Sequence, residues 1–374
     1  MRSKYFLSFL LVLFATSALA QAPSFALTGS MNVARTFHAA TLLFNGLVLV
    51  TGGEISSGNP TDTAEIYDPR SGTWRFTKFP MNSRRAAHTA TLLLDGRVLI
   101  AGGGDGIGFL TSAEVFDPRT EKFSLVAPLH VARTVSKAVL LGNGKVLIMG
   151  GYDTAPSSFS TTATTEIFDP RQGTWSLAAP MPTSLVFFTA SVLLDGRVLV
   201  TGGESNGTFG LTSVSLYSPV TDIWSVMSPL LMGRQTHTAT TLYNGKVLIV
   251  AGNDRVTPNN TVELYDVYAG ASGQSSFAAS IPGARVVHTA TRLLDGNVLI
   301  VGGQDQSGFV LNAELYHWAT QSWSDGGTLI DGRAASTATL VLPGKVLVTG
   351  GVTDTHTGNT ATNSAEVDTV SFPF

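Results

Sequence analysis

The sequence has no cysteine among its 374 residues, which excludes disulfide scaffolds, thiolate metal sites and thiol catalysis. Charge is scarce too. Asp, Glu, Lys and Arg make up 13% of the chain, about half the usual share. A formal charge of −3 offers nothing to a polyanion, so no nucleic-acid partner is expected. After the first twenty residues no apolar run is long enough to span a bilayer, so no membrane span is expected. Catalytic signatures are also missing: there is no His-Glu-x-x-His, no Gly-x-Ser-x-Gly and no phosphate loop ending in Gly-Lys-Ser/Thr. The glycine-rich stretch from Gly102 to Gly108 misses the dinucleotide spacing and leads into a strand. No segment has the Asp-x-Asp-x-Asp-Gly spacing of a calcium loop.

Glycine, by contrast, is abundant, with 39 residues, and this favours short strands and tight turns. The N-terminus reads as a secretory signal peptide over residues 1–20. Arg2 and Lys4 form its positive region, an apolar run from Tyr5 to Ala15 follows, and Ala18-Leu19-Ala20 fits the cleavage pattern. The expectation is therefore export to a periplasm or the outside, with residues 21–374 forming one domain.

One block recurs seven times along that domain. Its clearest part is a β-rich run ending in a glycine pair, as in RVLIAGG to Gly103 and KVLVTGG to Gly351. Successive second glycines lie 50, 48, 52, 49, 51 and 48 residues apart, the period of a propeller blade. Ala251 is the one departure from the pair. Each unit reads as four strands. An Asn-Gly or Asp-Gly turn, such as Asp95-Gly96, joins the first two and suggests a two-residue hairpin. An aromatic opens the fourth strand: Phe25, Trp74, Phe123, Trp175, Trp224, Phe277 and Trp323. The last copy lacks this fourth strand, and Phe25 to Met31 supplies the missing piece. The predicted fold is all-β: a seven-bladed propeller of four-stranded blades, the last completed by the N-terminal strand, which removes an open edge.

The pattern Arg-x-x-His-(Thr)-Ala, then Gly-Gly, Glu-x-Tyr-Asp-Pro, Gly-Thr-Trp and Pro-Met resembles the kelch repeat, over essentially all of residues 22–374. In style it is similar to secreted bacterial kelch proteins of the galactose-oxidase-like superfamily. Members of that superfamily serve as enzymes, adaptors and glycan binders, so the resemblance implies a fold and not one function. The radical cofactor of galactose oxidases needs a Tyr cross-linked to Cys, which a chain without Cys cannot supply.

Variable loops between the second and third strands gather on one face of the propeller, where binding usually sits. Six arginines precede the first strands on that face: Arg35, Arg85, Arg133, Arg234, Arg285 and Arg333. Six glutamates, Glu65, Glu114, Glu166, Glu263, Glu314 and Glu366, sit near the start of the third strands. The fourth copy lacks both, having Leu185 and Ser215. This co-absence suggests a buried Arg–Glu pair within each blade, and a ligand-binding arginine ring is the alternative.

An acidic residue follows every glycine pair: Glu54, Asp105, Asp153, Glu204, Asp254, Asp305 and Asp354. These are turn-capping groups or an acidic rim. Four inner-strand histidines, His38, His88, His237 and His288, are packing and hydrogen-bonding groups or, alternatively, metal ligands. Loop aromatics Tyr152, Phe159, Phe209 and Phe309 either stack on a partner or cover blade edges. The expected function is a non-catalytic binding module for a glycan or a protein, with no cofactor, no metal and a monomeric state. The resemblance also leaves open a periplasmic sugar epimerase or mutarotase, built on an arginine with Glu54 or Asp305 at the channel mouth.

Overall fold

The computed structural model describes residues 24–55, 58–155, 158–341, 344–355 and 358–369. Residues 1–20, where a signal peptide is expected, Pro343 and the side chains of Phe159 and Asp354 lie outside the described residues. Seven four-stranded antiparallel sheets form the seven blades. Blade 2 is typical, with strands Thr89–Leu92, Val98–Ala101, Ala113–Asp117 and Lys122–Leu125 running outward from the axis. The first strands of successive blades contact one another in a closed ring around a central channel.

The second strand of every blade is buried on both faces, which explains why it reads as an unbroken apolar run and not as an alternation. Its side chains pack against the neighbouring blade. Leu49 and Ile66 of blade 1 cluster with Val98, Ile100 and Phe116 of blade 2, and the other seams are filled in the same way. The seventh blade closes as predicted. Phe25–Leu27 pairs with Ala365–Asp368, in the register Phe25↔Asp368 and Leu27↔Glu366, and Phe25 and Met31 are buried at the join.

Two local expectations are corrected. The turn between first and second strands is a three-residue loop, not a two-residue one. In blade 1 the Gly46 N–H donates to the Leu43 carbonyl, and only Gly46, not Asn45, takes positive φ. Asn45 is needed for its side chain, whose Oδ1 accepts the Leu47 N–H at 3.1 Å. The second correction concerns blade 5. There the residue facing the third-strand aromatic Tyr265 is Ser275, while Phe277 pairs with Glu263 and is exposed. Elsewhere an aromatic fills this place, as where Trp74 packs 4.9 Å from Tyr67.

The glycine pair is a requirement of the seam. A Cβ on Gly102 would lie 2.7 Å from the Arg133 carbonyl of the next blade, and one on Gly103 would lie 2.7 Å from the Ala86 carbonyl. Both glycines also hold positive φ, at 65° and 95°. This close approach draws the glycine pairs, the variable loops and the connections between blades onto one face around the channel. Two of those loops are built as hairpins, Tyr152–Ala155 with Ser158–Thr161 and Val352–Thr355 with Gly358–Ala361.

Candidate functional site around the channel mouth

All six arginines are buried, at 0–1% exposure. In blade 2, Arg85 Nη2 donates to Glu114 Oε1 at 2.9 Å and to Ser112 Oγ at 3.1 Å, while Nη1 donates to the Gly102 carbonyl at 2.8 Å. Glu114 Oε2 accepts the N–H and the amide nitrogen of Asn82, both at 2.8 Å. The same unit recurs with Arg35, Arg133, Arg234 and Arg333, at Nη–Oε distances of 2.5–2.9 Å. Arg285 stands apart, 4.0 Å from Glu314. Burial lowers the guanidinium pKa in each case, and the paired glutamate pulls it back. These side chains are spent on the blade interior, so the ligand-binding arginine ring is set aside: Arg35, Arg85, Arg133, Arg234, Arg285 and Arg333 do not reach a surface.

The histidines are inter-blade staples. His88 Nε2 meets Thr51 Oγ1 of the preceding blade at 2.9 Å, and His288 Nε2 meets Thr238 Oγ1 at 2.9 Å. Burial, assisted by the neighbouring arginine, pushes His38 and His288 down to about 3, so they stay neutral. Each lies in a separate seam.

The acidic residues take three arrangements. Asp105, Asp254 and Asp305 cap their own turns: Asp305 Oδ1 accepts Ser307 N–H at 2.7 Å, Ser307 Oγ at 2.6 Å and Gly308 N–H at 3.0 Å. Those bonds, led by the Ser307 hydroxyl, hold its pKa below the usual range. Asp105 is held low in the same way by the Gly108 and Ile107 N–H groups. Asp254 Oδ1 accepts the Val256 N–H at 3.4 Å. Asp153 instead accepts Ser160 Oγ at 2.5 Å across a loop hairpin. Glu54 and Glu204 follow their glycine pairs directly and bridge by backbone to Thr36 and Val186 at the channel mouth. Burial holds both carboxyls above the ordinary value. Tyr152 occupies the equivalent place in blade 3, packs edge-on to Phe187 at 6.0 Å and is pushed up by burial and by Glu204.

Within this rim lies a feature that residue types do not betray. The residue two after each Arg position is left-handed in all seven blades: Phe37, Ala87, Val135, Phe187, Thr236, Val287 and Ala335, at φ 51–55°. Each costs about 1–2 kcal/mol outside glycine. They are held by a chain of bonds around the axis. Ala87 N–H donates to the Phe37 carbonyl at 2.9 Å, Val135 to Ala87 at 3.0 Å, Thr236 to Phe187 at 3.1 Å, Val287 to Thr236 at 3.2 Å and Ala335 to Val287 at 3.3 Å. Among the described residues the N–H groups of the two phenylalanines, Phe37 and Phe187, make no such link.

Below this ring the channel opens into a cavity of about 780 Å³ on the variable-loop face, walled by Phe37, Phe187, Val287, Phe309 and Val352, with Lys137 inside it. Lys137 was not singled out from the sequence, yet a signal exists. Its place in the other copies is taken by Ala39, Thr89, Thr189, Thr238, Thr289 and Thr337.

A family model described as the Attractin/LZTR1 β-propeller matches residues 26–262. No curated protein matches the chain. Among solved structures, a fungal alcohol oxidase of the AA5 family, in complex with copper, is similar at a TM-score of 0.76 and 16% identity, over 93% of this chain and 76% of that one. At that identity the likeness is one of fold. Among the described residues no group of three or more His, Cys, Asp or Glu side chains is placed to hold a metal ion.

Proposed function

We propose, for a chain that belongs to the Attractin/LZTR1 β-propeller family, that it is an exported binding module which takes the end of a glycan into the channel mouth on the variable-loop face. The cavity carries the reading. It is concave, of the size that holds a small ligand, and walled by aromatic rings that suit the face of a sugar. A flat protein surface would leave it empty. Export rests on the N-terminal pattern of Arg2, Lys4 and the Ala18-Leu19-Ala20 site.

The test is a broad glycan array probed with the purified chain, with Phe187→Ala and Phe309→Ala variants, and with Val220→Ser in an exposed turn on the opposite face. Specific binding that is lost in the first two and kept in the third supports the reading. Binding that survives both phenylalanine variants overturns it. So does a blank array, which would hand the face to a protein partner.

A second reading, sugar isomerisation, draws on Glu204 and Tyr152, whose pKa values are both raised beside the cavity. Catalysed anomer interconversion that falls in Glu204→Gln would favour it over simple binding.

A further inference from the structure

We propose that the channel cavity binds a small carboxylate-bearing molecule, its single negative charge on the Lys137 ammonium and its body against the apolar wall. This rests on reading the cavity as a binding site, and it adds the ligand's charge.

Lys137 begins the first strand of blade 3, Lys137–Leu140, and its side chain is exposed to the lumen while protein closes in around it. It has no acidic partner and no hydrogen bond among the described residues. Its charge adds to the effects of burial, Arg234 and His288 that hold His237 neutral. Such an enclosure lowers the lysine pKa, because nothing compensates the charge. The architecture does not require this residue, since five blades build the same position with threonine. An uncompensated cation in a partly enclosed cavity is costly unless a partner arrives.

The partner's chemistry follows from what surrounds the amine. There is one cation and no arginine fork. Of the hydroxyls at equivalent positions on the wall, Thr189 is already engaged with Thr201 and His237, and Thr238 with His288. The ring N–H groups are mostly consumed by neighbouring carbonyls. A phosphate site gathers several backbone N–H donors and more than one charge. A monoanionic carboxylate needs only the ammonium, and Phe37, Phe187, Val135 and Val287 give its body an apolar stretch of wall, which Gln304 and Thr236 interrupt.

The experiment is calorimetric titration of the full chain and of Lys137→Thr and Lys137→Met, with acetate, benzoate and glucuronate as carboxylate probes. Glucose serves as the neutral counterpart and inorganic phosphate as the alternative anion. Thermal unfolding is followed alongside. The proposal expects the wild type to bind a carboxylate probe more tightly than phosphate, with affinity falling at least about tenfold in both variants. Both variants should melt at or above the wild-type temperature, since an unpaired cation has been removed. Equal carboxylate affinity in the variants, or tighter binding of phosphate, overturns it. If glucose binds and no carboxylate does, this proposal falls while the binding reading stands. If no probe binds and the glycan array is blank, both fall. A drop in melting temperature in both variants would assign Lys137 to the scaffold instead.

Discussion

Blades 2 and 6 carry the same arginine and glutamate at the same repeat positions, yet they use them differently. In blade 2 the Glu114 carboxylate takes one bond from Arg85 and two from Asn82. In blade 6 the residue at the Asn82 position is Pro282, which has no N–H to give. The strand carrying Glu314 bulges between Ala313 and Glu314, and Asp325 faces the carboxylate where Leu125 stands in blade 2. The ion pair opens from 2.9 to 4.0 Å. A buried pair is thus as good as the donors that complete it, and here those donors belong to the connection between blades. Blade 4 agrees: it has Pro182 at the same place and has neither charge, only Leu185 and Ser215.

The comparison breaks most sharply if the two glutamates are neutralised separately. Glu114→Gln leaves Arg85 buried without its counter-charge and should cost about 3–5 kcal/mol, read by denaturant unfolding. Glu314→Gln at neutral pH should cost nothing or stabilise. The sign comes from titration. Burial first, and then Asp325, raises the Glu314 pKa against the pull of Arg285, so the folded state prefers the protonated acid. Its contribution is therefore full below the ordinary carboxylate value and is lost as pH rises through the raised one. The difference between wild type and Glu314→Gln should shrink on acidification. Equal losses in the two variants would mean that the opened geometry of blade 6 has no energetic meaning.

A smaller effect should separate proline from bulge as the cause. Pro282→Asn returns a donor to Glu314. A hydrogen bond to a charged group contributes about 1.5–3 kcal/mol, and losing proline's restriction of the unfolded chain subtracts about 0.4–1. The net expectation is about 1 kcal/mol of added stability, with the acid-linked rise of the preceding test reduced. No gain would place the cause in the bulge and in Asp325.

Much of this was legible in the sequence. The period, the glycine pairs and the orphaned last copy gave the blade count and the closure, because glycine is demanded wherever a carbonyl of the next blade would meet a Cβ. The co-absence of Leu185 and Ser215 from the charged pattern pointed to pairing, and the pairs are there. The left-handed ring was invisible. Its members are Phe, Ala, Val and Thr, and a backbone held by neighbouring blades leaves no mark on residue choice. Phe277 misled because the fourth strand of blade 5 is set in register by Ser275 opposite Tyr265, not by the nearest aromatic. Lys137 and Pro282 were readable only as departures from the repeat at positions where the consensus itself carries no chemistry.

Ala251 is the mildest departure and sits in the seam before blade 6. It holds φ 55° where the other six blades place glycine at 56–66°. In those blades a Cβ would run into the next blade's backbone carbonyl, 2.7 Å away at both Gly102 and Gly150. Blade 5 carries the methyl, and the bond across its seam, from Gly252 N–H to the Arg285 carbonyl, is 3.0 Å against 2.8 Å for Gly103 to Arg133. On the far side, Arg285 Nη1 reaches the Gly302 carbonyl at 3.4 Å, where Arg85 reaches Gly102 at 2.8 Å. Ala251→Gly relieves a left-handed alanine worth about 1–2 kcal/mol and adds about 0.5–1 of chain entropy cost. The gain should be about 0.5 kcal/mol in unfolding. If Arg285 also draws closer to Glu314, the methyl shares responsibility for the open pair, and Pro282→Asn combined with Ala251→Gly should exceed the sum of the two. Strict additivity would show that blade 6 was loosened from its own connection alone.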